Sequence, residues 1–425
     1  MRAREAGGSG AAMDAVNEQY EAYPYPARDP AREREQLRTG SPSHPVEIDH
    51  FLFQGQRDWS QPMRVLVAGG GTGDALMMIG QLLKDRGAPA EITYLDLSRA
   101  SREIAEARAA ARELTVRFVT GDLLTAPDLG PFDYIDCCGV LHHLSDPQAG
   151  LEALAAALGP DGGLGAMVYA PYGRTGVYPL QEAFAALTAG MSPSERLDYA
   201  REALGRLPAA HPFKRNPLLT DHQDGDAGFY DLLLHSRDRA YRADETIAAV
   251  EAAGLRFAGF ATPAQYEPST YLGGALGARS EGLSLTERAA LAEQLSGMMS
   301  KHIFYAAPAA RGDTVARAGA ENADALTPVL VGAPPAALAK SVAAKGRVRF
   351  SSDSIAVERR LDRSLAPLIA LIDGRRDIAA LRRETRLSRE RFDRAFQALA
   401  EPLLGFGLIR FSRFHRRPDL GGGAP

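Results

Sequence analysis

The chain is predicted to fold as an α/β protein around a doubly wound, mostly parallel sheet, and three observations carry that prediction. Apolar runs of strand length recur at 63–69, 90–98, 116–124, 132–144 and 162–171. Between them lie the helix-like stretches "DALMMIGQLLKDRG", "SREIAEARAAAREL" and "PQAGLEALAAALGP". Strands alternating with helices of about 10–15 residues build crossover units and hence a parallel sheet. The first strand also runs straight into a glycine-rich turn, "VAGGGTGD" at 67–74. Two later runs, "LRFAGFATP" (255–263) and "KHIFYAAP" (301–308), complete the sheet at seven strands, with 177–243 and roughly 264–297 inserted above it.

A chain of 425 residues has room for two or three domains. With 45% hydrophobic and 24% charged residues it is neither disordered nor fibrous in composition. Its net charge of −4 gives no overall reason to expect nucleic-acid or membrane binding. The charge is uneven, however: residues 345–418 hold 18 Lys/Arg against 9 Asp/Glu, a basic module on an acidic body. The two cysteines, Cys137 and Cys138, are adjacent on a strand and point to opposite faces, which excludes a disulfide and a cysteine metal cluster. No secretory h-region or membrane-length apolar run is found, so the expected location is cytoplasmic. The domain reading is an N-terminal arm or lid at 1–60, opening with a disordered lead-in at 1–13, and an α/β domain at 61–308. An Ala/Gly/Pro-rich linker at 309–344, a small basic α+β module at 345–418 and a mobile tail "LGGGAP" follow.

The glycine turn narrows the ligand. A phosphate loop of the form GxxxxGK[ST] is absent. A dinucleotide fingerprint starting at Gly69 and Gly71 needs Gly or Ala at position 74, where Asp74 stands. An acid at a helix N-terminus repels pyrophosphate. What remains is G-x-G-x-G (Gly69, Gly71, Gly73), which lets a ligand approach the backbone closely without an anion in the helix mouth. That suits a nucleoside with a zwitterionic amino-acid end and no phosphate, S-adenosylmethionine. Strand two ends in "YLDLS", placing Asp96, with Leu97 beside it, where a carboxylate can accept both ribose hydroxyls. Strand three ends in "TGDLL", placing Asp122 for the adenine amino group and Leu123 and Leu124 for the ring.

Over about residues 60–310, the motifs "VLVAGGGTGD", "YLDLS", "TGDLL", "FDYIDCCGVLHHLSDP" and "LGPDGGLGAMVYAP" resemble those of the class I S-adenosylmethionine-dependent methyltransferases. "GVLHHLSDP" is close to the form found in enzymes acting on small molecules such as quinones. The resemblance implies a Rossmann-like fold, S-adenosylmethionine as cofactor and no metal. Many relatives carry an acid where Val67 stands, which helps to hold the methionine ammonium; here Asp74 or the carbonyl of Gly139 is left to take that part.

Methyl transfer needs close positioning and removal of one proton where the acceptor carries it. The candidates for that work are His142 and His143 after strand four and Tyr169 at the end of strand five. Tyr172 and Arg174 leave strand five toward the acceptor. "EQYEAYPYP" puts Tyr20, Tyr23 and Tyr25 on a proline-stiffened segment that can close over the donor, Tyr20 on the donor itself and the other two on the substrate. "LLLHSRDRAY" offers His235 and Arg239 to the acceptor pocket. The expected acceptor is a small molecule, against a protein side chain or a tRNA base. The basic module resembles a winged-helix-like unit through "LIDGRRDIAALRRE", and suits a protein partner or self-association better than nucleic acid; a donor-sensing regulator that binds DNA through it is the competing class.

Overall fold

Val65, Leu66, Val67 and Ala68 are each at most 1% exposed, so a strand apolar on both faces has to sit in the middle of a covered sheet. In the computed structural model, which describes residues 15–318, 323–352 and 355–415, that strand, β1 (Met63–Ala68), lies third in a seven-stranded sheet. The lead-in and the tail "LGGGAP" lie outside the described residues. The other strands are β2 (Ala90–Asp96), β3 (Val116–Thr120), β4 (Phe132–Cys138), β5 (Leu158–Tyr169), β6 (Leu255–Phe260) and β7 (Lys301–Pro308), in the spatial order β3-β2-β1-β4-β5-β7-β6. β1 to β5 run parallel, and β7 pairs antiparallel with both β5 and β6. The chain reverses on each side of β1, between β2 and β4, and ligands of doubly wound sheets settle at that switch point.

The two faces bury different sets. Leu66, Ala68, Ile135, Cys137, Leu164 and Ala166 point to one core, and Val65, Val67, Tyr94, Tyr134 and Tyr305 to the other, under the helix Pro45–Leu52. Two strands end four or more residues short of the sequence expectation. β3 stops at Thr120 because the Asp122 side chain accepts Leu124 N–H and starts a 3-10 turn over Leu123–Leu129. β4 stops at Cys138 because Gly139 turns to a φ of 81°, and Leu141–His143 form another short turn. The insertion is helical at Val177–Leu187, Pro193–Arg206 and Gly225–Leu233, and packs around Phe184, Phe213, Phe229 and Tyr230.

The stretch 309–344, expected as a linker, carries a strand at Pro328–Leu330 and a helix at Pro335–Lys345. Leu326, Leu338, Ala339 and Val342 bury in the same core as Phe392, Phe396 and Leu399 of the C-terminal module. This helix buries only Leu338, Ala339 and Val342 and leaves Ala336, Ala337, Ala343 and Ala344 exposed, so its apolar face is too small to register as periodicity. The module adds a hairpin (Arg347–Ser352 with Ile355–Arg360), helices at Ala366–Leu371, Ile378–Thr385 and Arg389–Gly405, and the strand Ile409–Phe411. Its last residues are stapled to the α/β domain. Asp49 accepts Ser412 Oγ at 2.7 Å, Arg413 N–H at 2.9 Å and Trp59 Nε1 at 3.3 Å, while Arg410, 1% exposed, reaches the Ala261 carbonyl. Among the described residues no helix is long and apolar enough to cross a membrane.

Candidate functional site

A cavity of about 830 Å³ opens at the carboxyl edge of β1, β2, β4 and β5. Its first half is made of backbone. Gly69 has a φ of 66°, and a Cβ there would lie 2.4 Å from Val140 Cγ2, so only glycine lets the loop lie against the β4 turn. The Asp96 carboxylate is oriented by two amides, Gly71 N–H at 2.7 Å and Ser98 N–H at 2.8 Å. Burial raises its pKa and those amides oppose the rise. Leu97, Asp122, Leu123 and Gly139 line the same half. The sequence 15–33 fixes this edge from outside: Thr72 Oγ1 donates to the Pro26 carbonyl at 2.7 Å and Ser98 Oγ to the Tyr20 carbonyl at 3.3 Å. Asp74 faces the cavity too, but its charge is taken up by Arg28 at 2.6 Å and Arg108 at 2.8 Å, which hold its pKa below the usual range despite burial.

The second half is made of side chains from distant segments. Asp231, on the helix Gly225–Leu233 and 3% exposed, accepts the Tyr20 hydroxyl at 3.0 Å and faces the Tyr169 hydroxyl at 3.5 Å. Burial pushes its pKa up to about 7, against the opposing hydrogen bond from Tyr20. Tyr20 also meets His235 Nε2 at 3.1 Å, and His235 stacks on His143 with centroids 3.8 Å apart. Arg174 lies 3.6 Å over the Tyr169 ring and pairs with Asp238 at 2.6 Å, and its charge still opposes the rise of the Asp231 pKa. Asp221, its pKa raised by burial, completes this wall with Leu218 and Leu219.

Of the residues singled out in the sequence, Tyr20, Tyr25, His143, Tyr169 and Arg174 line the cavity, as do Gly69, Gly71, Asp74, Asp96, Leu97, Asp122, Leu123 and Gly139. Gly73 supports the loop as the residue before the helix Asp74–Arg86. His142 lies behind Tyr169 (4.0 Å between rings), fully buried, with neither ring nitrogen hydrogen-bonded. Burial holds His142, His143 and His235 neutral by lowering their pKa. Tyr23 stacks on Tyr230 and Arg239 packs over Tyr241; with Tyr172 they stand outside the cavity wall. His235 stands behind the cavity wall, in contact with the lining residues Tyr20 and His143. His143, Asp231 and His235 bring ligand atoms within 4.8 Å of one another, a cluster the sequence did not suggest. His235 Nδ1 accepts Arg237 N–H at 3.0 Å, so Nε2 turns a proton toward the group rather than a lone pair for a metal. Asp136, Asp221 and Asp231 were not among the candidates. Two of them carried a signal, a single acid inside an apolar run: "YIDCC" and "FYDLLL".

A family model described as a methyltransferase domain matches residues 66–164. The uncharacterized protein syc1184_c of Synechococcus sp. is 31% identical over 306 residues, covering 68% of this chain and 70% of that protein. Demethylmenaquinone methyltransferase of Thermus thermophilus is 33% identical over 111 residues, 26% of this chain and 49% of the enzyme. Among solved structures, PKMT2 from Rickettsia typhi superposes with a TM-score of 0.61 at 14% identity, covering 87% of this chain and 76% of its own. Its complex with AdoHcy superposes with a TM-score of 0.60. With a switch-point cavity, a glycine loop and a buried acid at the end of β2 in place, the chain belongs to the class I S-adenosylmethionine-dependent methyltransferases.

Proposed function

We propose that this methyltransferase acts on the nitrogen of an amine that enters the second half of the cavity as a cation, carried by a small molecule or by a short flexible segment. The observation that supports this reading is Asp231, a buried carboxylate on the cavity wall that is held by two tyrosines and has no ion-pair partner among the described residues. Asp221 is a second carboxylate on the same wall, opposed by the charges of Arg174 and Lys301. S-adenosylmethionine supplies an electrophilic methyl group whose leaving group is a neutral thioether. The chain has to bind the acceptor, keep water away and take one proton. Asp231 attracts the ammonium and, with a pKa of about 7, accepts its proton more readily than an ordinary carboxylate does. The nitrogen lone pair is then free to attack. Tyr20 and Tyr169 fix the carboxylate, and burial keeps both phenols protonated.

The second class, a DNA-reading regulator, finds little support in the basic module. Arg382 grips Asp324 through two contacts of 2.8 Å, Arg394 pairs with Glu390 and Arg347 with Glu358. Paired arginines of this kind are solvated scaffold more than a free phosphate-binding surface. The test is incubation with tritiated donor and a panel of amines (polyamines, aminoalkyl nucleosides, lysine-bearing peptides) beside alcohols and phenols. Label is expected in an amine, with Asp231→Asn lowering kcat by about 100- to 1,000-fold while donor binding stays intact. Label in oxygen acceptors alone, at a rate Asp231→Asn leaves unchanged, would falsify the reading.

A further inference from the structure

The strand order β3-β2-β1-β4 sets out the donor's path. Asp122 follows β3, Asp96 ends β2, and the glycine loop follows β1. A nucleoside with adenine toward Asp122 and ribose on Asp96 has to send its amino-acid tail across the end of β1 toward β4. On β1 the residue facing that path is Val67, which offers an ammonium nothing. Its register partner across the strand boundary is Asp136 of β4. Both line the cavity, on the same face of the sheet.

Asp136 is 1% exposed, and burial pushes its pKa up to about 6. The groups that stabilise its charge are two hydroxyls, Ser43 and Tyr134, and no cationic side chain offsets it among the described residues. The Tyr134 hydroxyl has a single hydrogen, shared between the Pro42 carbonyl at 2.9 Å and Asp136 at 3.2 Å. This carboxylate is therefore short of donors, and buried carboxylates in that state are costly unless a ligand completes them. The segment that brings Ser43 to it also lines the cavity with Arg38, Thr39, Gly40 and Ser41. Arg38 is exposed at the rim, with no ion-pair or hydrogen-bond partner among the described residues. Asp74, the other acid at this edge, is already satisfied by Arg28 and Arg108.

We propose that the amino-acid end of the donor is held between Asp136 and Arg38, the ammonium on the Asp136 carboxylate and the carboxylate on the Arg38 guanidinium. The acid usually found on the first strand has moved one strand across, in register with the valine that replaced it. This rests on the placement of the ribose at Asp96. Asp136 is a binding residue for the donor and takes no part in the proton transfer assigned to Asp231.

Calorimetric titration of the full chain tests it with three probes: S-adenosylhomocysteine, its analogue with hydrogen in place of the amino group, and methylthioadenosine, which lacks the amino-acid end. Wild-type protein is expected to prefer S-adenosylhomocysteine to the deaminated analogue by about tenfold or more. Asp136→Asn is expected to erase that preference without changing the affinity for methylthioadenosine. Arg38→Gln is expected to weaken both carboxylate-bearing probes and spare methylthioadenosine. Should Asp136→Asn fail to fold, the double variant Val67→Asp/Asp136→Val, with the acid returned to the first strand, is expected to keep the preference for the amine. Wild-type protein that binds the two acids equally, or a folded Asp136→Asn that still discriminates or loses all three probes alike, overturns the proposal. Loss of methylthioadenosine binding in Asp96→Ala checks the ribose placement separately: if that variant binds it normally, the placement fails rather than the clamp.

Discussion

The two halves of the cavity are built by opposite means. In the donor half the groups facing the ligand are strand ends and main-chain turns. Asp96 is aimed by the amides of Gly71 and Ser98, and Gly69 is locked against Val140. In the acceptor half the groups are side chains from far apart in the chain. Tyr20 and Asp231 are separated by 211 residues, and Tyr169 and Asp231 by 62. The first half can change little without losing the fold, because the same backbone closes the sheet edge. The second half is held together by side-chain contacts between the arm and the insertion rather than by the sheet itself.

Breaking one half should therefore leave the other standing. The largest effect is expected from Asp231→Asn: kcat down by about 100- to 1,000-fold in a labelled-donor assay, with the affinity for S-adenosylhomocysteine within about threefold of wild type. Next is Asp96→Ala, for which calorimetry is expected to show donor affinity lower by about 100-fold, since a buried, pre-aimed carboxylate loses two ligand hydrogen bonds. A pH measurement sharpens the picture of the acceptor half. The Asp231 pKa is raised from 3.8 to about 7 in the folded protein. The folded state then binds its proton more tightly than the unfolded chain does, so this carboxylate contributes stability below its unfolded pKa and loses it as pH rises through the folded value. Melting temperatures of wild type and Asp231→Asn, compared from about pH 5 to pH 8, should show wild type losing ground as pH rises. A constant gap would mean that Asp231 titrates normally and is no special base. The smallest effect is expected at Tyr23, which stacks on Tyr230 outside the cavity: Tyr23→Ala should change kcat/KM by less than about threefold while costing about 1 kcal/mol of stability.

The same contrast explains what the sequence reveals. Asp96 and Asp122 stand at the ends of strands, and a strand end is a local feature: an apolar run, then a turn. Their arrival at one edge follows from the parallel topology alone. Tyr20, Tyr25 and Arg174 were recognisable as candidates by residue type and neighbourhood, and they do reach the cavity. Their partner Asp231 depends on how the inserted helix Gly225–Leu233 folds back, a long-range fact with no periodic trace. Tyr23, Tyr172 and Arg239 share the same local chemistry but point elsewhere, because only packing decides which side of a segment faces the ligand. Asp136 is the sharpest case. The missing acid at Val67 is visible as a gap and Asp136 as an acid in an apolar run, while their adjacency becomes visible only once β1 and β4 are placed in register. In the C-terminal module, the helix Pro335–Lys345 reads as linker because alanines stand on its exposed side as well, which blurs the short buried face of Leu338, Ala339 and Val342.

The separation of the two halves is tested most directly by titrating S-adenosylhomocysteine into Asp96→Ala and Asp231→Asn side by side, with wild type as reference. Binding is expected to be lost in the first variant and kept in the second. Equal affinities in all three proteins, or loss in Asp231→Asn alone, would contradict the assignment of the donor to the β1–β2 edge and of Asp231 to the other half.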